Sequence, residues 1–137
     1  MARIKIRTED QLAWRQSEAG DLGNYDHNQL GEGELTTKFR IREMGSDTVP
    51  QLIELQYEPN SEIQLHAHDE DEIIFVLRGM MYFGPRAVPP GSSIYVAGGT
   101  LYAFRAGAQG LQILNFRPRM DMTFHKPADL THKGRRL

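Results

Sequence analysis

His66-Ala67-His68-Asp69-Glu70-Asp71-Glu72, a run followed further on by Gly79, is the stretch from which the rest of this chain can be read. In a β-strand successive side chains point to opposite faces, so His66 and His68 share a face and can reach one cation together. A tight turn over Asp69-Glu70-Asp71 is expected to return the chain as a hairpin and set Glu72 beside them. Two neutral imidazoles and one carboxylate, with positions left open, suit non-haem Fe(II), and also Mn, Ni, Co or Zn. The rival reading is a solvated polar strand face followed by an acidic turn, the commoner case for a bare His-x-His pair. Here four positions coincide, and histidine is rare enough that a chance match is on the order of one in a thousand. That favours one divalent transition metal, Fe(II) first, with His66, His68 and Glu72 as its ligands.

A chain of 137 residues, 39% hydrophobic and 25% charged, fits one ordinary globular domain. It has no cysteine, which excludes disulfides, thiolate nucleophiles and Cys-based zinc sites. Any metal must therefore be held by imidazole and oxygen. A net charge of −2 gives no general attraction to nucleic acid or anionic lipid. No apolar run reaches the roughly 20 residues that span a bilayer, and Met1 to Arg7 lacks the apolar region of a secretion signal. The expectation is a cytoplasmic protein with a small-molecule substrate and neither a nucleic-acid nor a membrane partner.

Strand signals dominate the chain. Ile4 and Ile6 alternate with basic residues, as in a short edge strand, and Gly20 to Gly33 has loop composition. Phe39 and Ile41, then Ile53, Leu55 and Tyr57, show the period of two of half-buried strands. In the strand Ile63 to His68, Gln64 is expected on the histidine face, where its amide can meet a metal-bound oxygen or a ligand histidine. Ile73 to Leu77 is continuously apolar, as in a strand buried on both sides, and Gly79 is expected to end it before Met80 to Phe83. Further strands are expected at Ile94 to Val96, Leu101 to Arg105 and Leu111 to Phe116. Many short strands punctuated by Pro and Gly, with no convincing long helix, argue for an all-β sandwich or barrel. Arg78 and Arg86 are surface residues that could receive an anionic substrate. His27, His125 and His132 lie in loop or tail sequence without ligand spacing.

These residues resemble the cupin superfamily, whose small barrels line one metal site with two characteristic stretches. The first has the form G-x5-H-x-H-x3-4-E-x6-G, met by His66, His68, Glu72 and Gly79, with Asn60 in place of the leading glycine. Asn also tolerates positive φ. The second has the form G-x5-P-x-G-x2-H-x3-N. Gly91 and Gly99 fit it, whereas Ala97, Tyr102 and Ala106 replace its proline, histidine and asparagine. The likeness covers roughly residues 36 to 117.

The resemblance implies a double-stranded β-helix, or jelly-roll, barrel over 36–120. Residues 1–35 would be an N-terminal extension packing on the barrel or swapping across it, and 121–137 a C-terminal tail. It also implies a fourth ligand histidine where Tyr102 stands, so three protein ligands remain. Tyr102 is then a weak ligand, a hydrogen-bond donor or proton donor to substrate, or a space filler; a phenol with an ordinary pKa near 10 is a neutral donor. The function implied is a metal-dependent, dioxygenase-like oxidoreductase acting on a small oxygenated metabolite, with Tyr102 and Gln64 as catalytic candidates. The alternatives are a non-oxidative isomerase, lyase or cyclase, and a non-catalytic ligand-binding or sensor protein. Pairing in the family implies a homodimer, with Tyr82, Phe83, Ile73, Phe75 and Leu77 as candidate buried residues.

Overall fold

The computed structural model describes residues 3–16 and 32–130. Eight antiparallel strands carry the fold: β1 (Arg15–Gln16), β2 (Lys38–Glu43), β3 (Gln51–Tyr57), β4 (Glu62–His66), β5 (Glu72–Phe83), β6 (Arg86–Val88), β7 (Ser93–Val96) and β8 (Tyr102–Arg117). Among the described residues the helical pieces are α1 (Glu32–Thr36) and two 3₁₀ turns, Glu9–Gln11 and Pro127–Asp129. The strands are ordered β1-β2-β3-β8-β5-β6, with β4 also on β8 and β7 also on β5. Among the described residues no helix is long and apolar enough to cross a membrane.

Two long strands replace the four short ones that the glycines suggested. β5 runs through Gly79 and β8 runs through Gly107 and Gly110 without interruption. The glycines bend these strands instead of ending them. Gly79 has φ +80° and a β-carbon there would lie 2.1 Å from the Gly110 carbonyl oxygen, so the two strands touch backbone to backbone at their bends. Each long strand changes partner along its length. The first half of β8 pairs β4, and its second half lies between β3 and β5.

Ile74, Val76, Met81, Ile113 and Phe104 face inward and form the main core. The β5 run is not buried on both sides. Its residues alternate, with Ile74 and Val76 fully buried and Ile73, Phe75 and Leu77 about 40% exposed. Tyr95 and Phe116, both register partners of Ile73, extend that apolar outer face. Leu and Phe in the outward positions made an amphipathic strand read as a doubly buried one.

Ile4 and Ile6 form no strand and are about 80% exposed. Lys5 and Arg7 between them bind Glu43, Glu9 binds Arg40, and the Trp14 ring lies under the Arg40 guanidinium at 4.3 Å. Arg40 is itself buried against Glu54. Residues 3–16 are therefore fastened to β2 by charge and by the backbone pairing of β1, not by apolar burial.

Asn60, in the turn before β4, has φ 61°, the one positive φ outside glycine among the described residues. Its side chain tolerates a conformation that costs most L-residues about 1–2 kcal/mol. Asn60→Gly is expected to leave the urea midpoint nearly unchanged, whereas Asn60→Ala lowers stability by about 1 kcal/mol. Equal stability of the two variants would show that the turn relaxes to negative φ.

Candidate functional site

His66 and His68 line one cavity and Glu72 is buried against Tyr102, but no hairpin joins them. β4 pairs with β8, placing His66 opposite Tyr102, while Glu72 opens β5 opposite Val96 of β7. The acidic turn does not zip two strands. It is fastened from outside: Asp71 accepts from the Gly98 N–H, Asp69 binds His125, and Asp121 accepts from the Glu70 N–H. Expected as a hairpin turn, these acids instead bind neighbouring segments.

A register shift between Ile63 and His66 changes which side chains face inward. Such a bulge breaks strict alternation. Ile63 and His66 both line the central cavity, Leu65 is exposed, and Gln64 is not among the lining residues. The Gln64 amide instead donates to the Glu34 carboxylate on α1. Gln64 was expected on the histidine face; the bulge removes it from there.

Residues 121–130, expected as a tail, form part of the cavity wall. Ala67 and His125 exchange two backbone hydrogen bonds, at 2.9 and 2.8 Å. Phe124 stacks on His66 with ring centres 4.6 Å apart, and the Thr123 carbonyl meets His68 Nδ1. His125 is thus an anchor of this segment. His27 and His132 lie outside the described residues. Arg78 and Arg86 lie on the surface and do not line the cavity.

Both imidazoles have the same arrangement. His66 Nδ1 meets the Gln64 carbonyl at 2.7 Å, and His68 Nδ1 meets the Thr123 carbonyl. A carbonyl only accepts, so each neutral ring carries its proton on Nδ1 and keeps the lone pair on Nε2. The rings are nearly inaccessible to solvent and stand 4.8 Å apart, centre to centre. Burial lowers the pKa of both, for His68 to about 3, with the Arg117 charge adding to the effect. Neutral imidazoles with a fixed tautomer meet the requirement for metal ligands.

Glu72 is differently committed. Tyr102 donates its hydroxyl to Oε1; Asn115 Nδ2 at 2.7 Å and Arg117 Nη2 at 3.3 Å donate to Oε2. Burial pushes this carboxyl up, but the Arg117 charge and the Tyr102 and Asn115 hydrogen bonds outweigh it and hold it below the usual range. Tyr102 moves the other way, well above 10, through burial, the Glu72 charge and its own hydrogen bond. It is a neutral donor at any ordinary pH. Among the described residues no three His, Asp or Glu side chains are gathered as a set that could hold a metal. The imidazole pair fits a transition ion; the carboxylate, as placed, serves Tyr102, Asn115 and Arg117.

The cavity, about 90 Å3, is mostly apolar, with Phe39, Ile53, Leu55, Phe104 and Phe124 in its wall. Its polar members are His66, His68, Tyr102, Asn115 and Arg117, together with Glu34, Thr37 and Asp121. Asn115 Oδ1 is buried without a hydrogen-bond partner. An apolar chamber with a few convergent polar groups is the usual form of a small-molecule site. Sequence reading missed Glu34, Asn115, Arg117, Asp121 and the 123–124 pair. Asn115 and Arg117 did leave a signal, since they continue the inward period of Ile113 as polar residues in an apolar strand.

No family model matches the chain, and no curated protein matches it. Solved structures do. KdgF from Halomonas sp. is 16% identical, with 82% of this chain and 91% of that one covered and a TM-score of 0.60. A cupin-2 domain protein from Rhodospirillum rubrum is 15% identical over 97% and 84%, TM-score 0.62. The polyketide cyclase RemF from Streptomyces resistomycificus is 21% identical over 72% and 75%, TM-score 0.55. At such identities the likeness is one of fold.

The pKa directions give a pH dependence with a defined sign. Unfolded histidine takes up a proton near 6.5, while burial lowers both folded rings below that, His68 to about 3. The unfolded state then binds more protons, so stability falls as pH drops from about 6.5 toward 3. Glu72, with its folded pKa lowered from 4.5, adds a loss of the same sign below that value. The denaturation midpoint of chelator-treated protein is expected to fall steadily below pH 6.5, and a His66→Gln/His68→Gln double variant to show a flatter profile. A flat wild-type profile would mean that these rings are not buried neutral.

Proposed function

The chain is a cupin by fold, an all-β jelly-roll barrel, and from that premise we propose that it is an enzyme of the non-oxidative kind, an isomerase, lyase or cyclase. Its substrate is a small oxygenated metabolite with an apolar body. The observation that carries this reading is the division of labour in the cavity: Glu72 is committed to Tyr102, Asn115 and Arg117, while His66 and His68 keep Nε2 lone pairs. The name of one structural neighbour, a polyketide cyclase, accords with it.

In this reading His66 and His68 hold one divalent transition ion through Nε2, and Glu72 joins them only by exchanging a present partner for the ion. When bound, the ion supplies Lewis acidity to a substrate carbonyl. The aromatic and aliphatic wall takes the apolar body and excludes water. Tyr102 remains protonated and orients Glu72; Arg117 offers fixed positive charge in the cavity wall, and Asn115 Oδ1 an acceptor for a substrate hydroxyl.

The oxygenase reading also has an observation in its favour, the anchored imidazole pair, which suits Fe(II). Turnover of small carbonyl compounds without oxygen uptake is expected, and substrate-dependent oxygen uptake would replace the first reading with the second. His66→Ala and His68→Ala are each expected to lose stoichiometric metal from untagged protein while remaining folded; undiminished metal in both would place any site elsewhere.

A homodimer belongs to the same proposal, formed through the outer face of Ile73, Phe75, Leu77, Tyr95 and Phe116. A contiguous apolar face of this kind is costly to leave in water. Sedimentation is expected to show a dimer, and a monomer at micromolar concentration would contradict it.

A further inference from the structure

The outer face of the barrel is not apolar throughout. Register pairs Lys38 of β2 with Gln56 of β3, Gln56 with Gln112 of β8, and Gln112 with Arg78 of β5. Paired residues of neighbouring strands point to the same side of a sheet, so these four form one row across it. The row faces outward, because Leu55, Tyr57 and Ile113, the sequence neighbours of Gln56 and Gln112, line the central cavity. Beside it Gly79 and Gly110, both at positive φ and without side chains, open a groove of about 350 Å3. Glu58 and Gln109 complete its polar wall. Only Tyr57 belongs to the lining of both the groove and the central cavity.

The charges of this groove are uncommitted. Other basic side chains of β2 and β8 are engaged: Arg40 and Arg42 with Glu54, Arg117 with Glu72, and Arg105 over the Tyr82 ring. Among the described residues the exposed side chains of Lys38, Arg78, Glu58, Gln56 and Gln109 have no hydrogen-bond or ion-pair partner. Gln112 is held by Glu54 and gives the row a fixed floor. The groove thus offers two cations, one carboxylate and two open amides. Three strand spacings put the Lys38 and Arg78 backbones about 14 Å apart, which suits two separate anionic groups better than one.

We infer that the groove is a binding site for a free acidic amino acid, whose two carboxylates and one ammonium complement its two cations and one carboxylate. Arg78 takes one carboxylate in its planar fork, and Lys38 takes the other as a point charge. Glu58 accepts from the ammonium, and the Gln56 and Gln109 amides donate to the remaining carboxylate oxygens. The site is separate from the central cavity and does not depend on the reaction assigned there.

L-glutamate is a suitable probe, with binding read by titration calorimetry at low salt and glutarate, which lacks the ammonium, as its comparison. Wild-type protein is expected to bind L-glutamate saturably and more tightly than glutarate. Arg78→Gln and Lys38→Gln, both at exposed positions, are each expected to keep the wild-type thermal midpoint and weaken L-glutamate binding about tenfold. Glu58→Gln is expected to reverse the preference in favour of glutarate. The His66→Gln/His68→Gln double variant is expected to bind L-glutamate as the wild type does; loss of binding there would put the ligand in the central cavity and overturn the groove site. No saturable binding, or unchanged affinity in Arg78→Gln and Lys38→Gln, would overturn it as well. Equal affinity of the wild type for L-glutamate and glutarate would overturn the amino-acid assignment.

Discussion

A carboxylate cannot be buried with its charge uncompensated, and Glu72 is almost wholly buried. The structure meets this constraint with three donors from one strand: Tyr102, Asn115 and Arg117 all belong to β8 and all reach the first residue of β5. Glu72 thereby fixes how the two longest strands sit relative to each other at the site. Removing one member of such a buried ion pair typically costs about 3–5 kcal/mol, because the other is left unpaired. The same bonds decide the chemistry, since a carboxylate engaged on both oxygens is no longer an open ligand or a ready base.

Around that centre the barrel builds a dry chamber closed by chain distant in sequence. The 121–130 segment supplies the carbonyl that fixes the His68 tautomer and the ring that stacks on His66. α1, on the N-terminal side of the barrel strands, supplies Glu34, and Thr37 follows directly after it. Neutral imidazoles, a neutral phenol and a buried guanidinium are maintained together because each has a partner and little water reaches any of them. Such differences between neighbouring titratable groups are the usual basis of acid–base and Lewis-acid sites.

Much of this was legible in particular residues. The period of two at Ile53, Leu55 and Tyr57 marked a real strand, the His-x-His spacing marked two rings that stand 4.8 Å apart, and Asn60 adopts the positive φ expected of a glycine substitute. What failed did so for reasons of register. The bulge after Ile63 swung Gln64 off the cavity, and the glycines of β5 and β8 bent strands that local composition reads as broken. Local pattern carries the alternation of a strand but not the position of a bulge, which depends on the partner strand.

By itself the sequence determined an all-β chain without thiol chemistry, with a His-x-His pair on one strand and an acid close behind it in the chain. Those features are local, set by side-chain period and residue type. Only the tertiary structure decided that Glu72 would spend its charge on Tyr102, Asn115 and Arg117, that Thr123 would orient His68 across 55 positions of chain, and that Glu34 would enter the cavity in place of Gln64. Each of these depends on which strand lies beside which, and pairing between distant segments leaves no mark in the local periodicity of either.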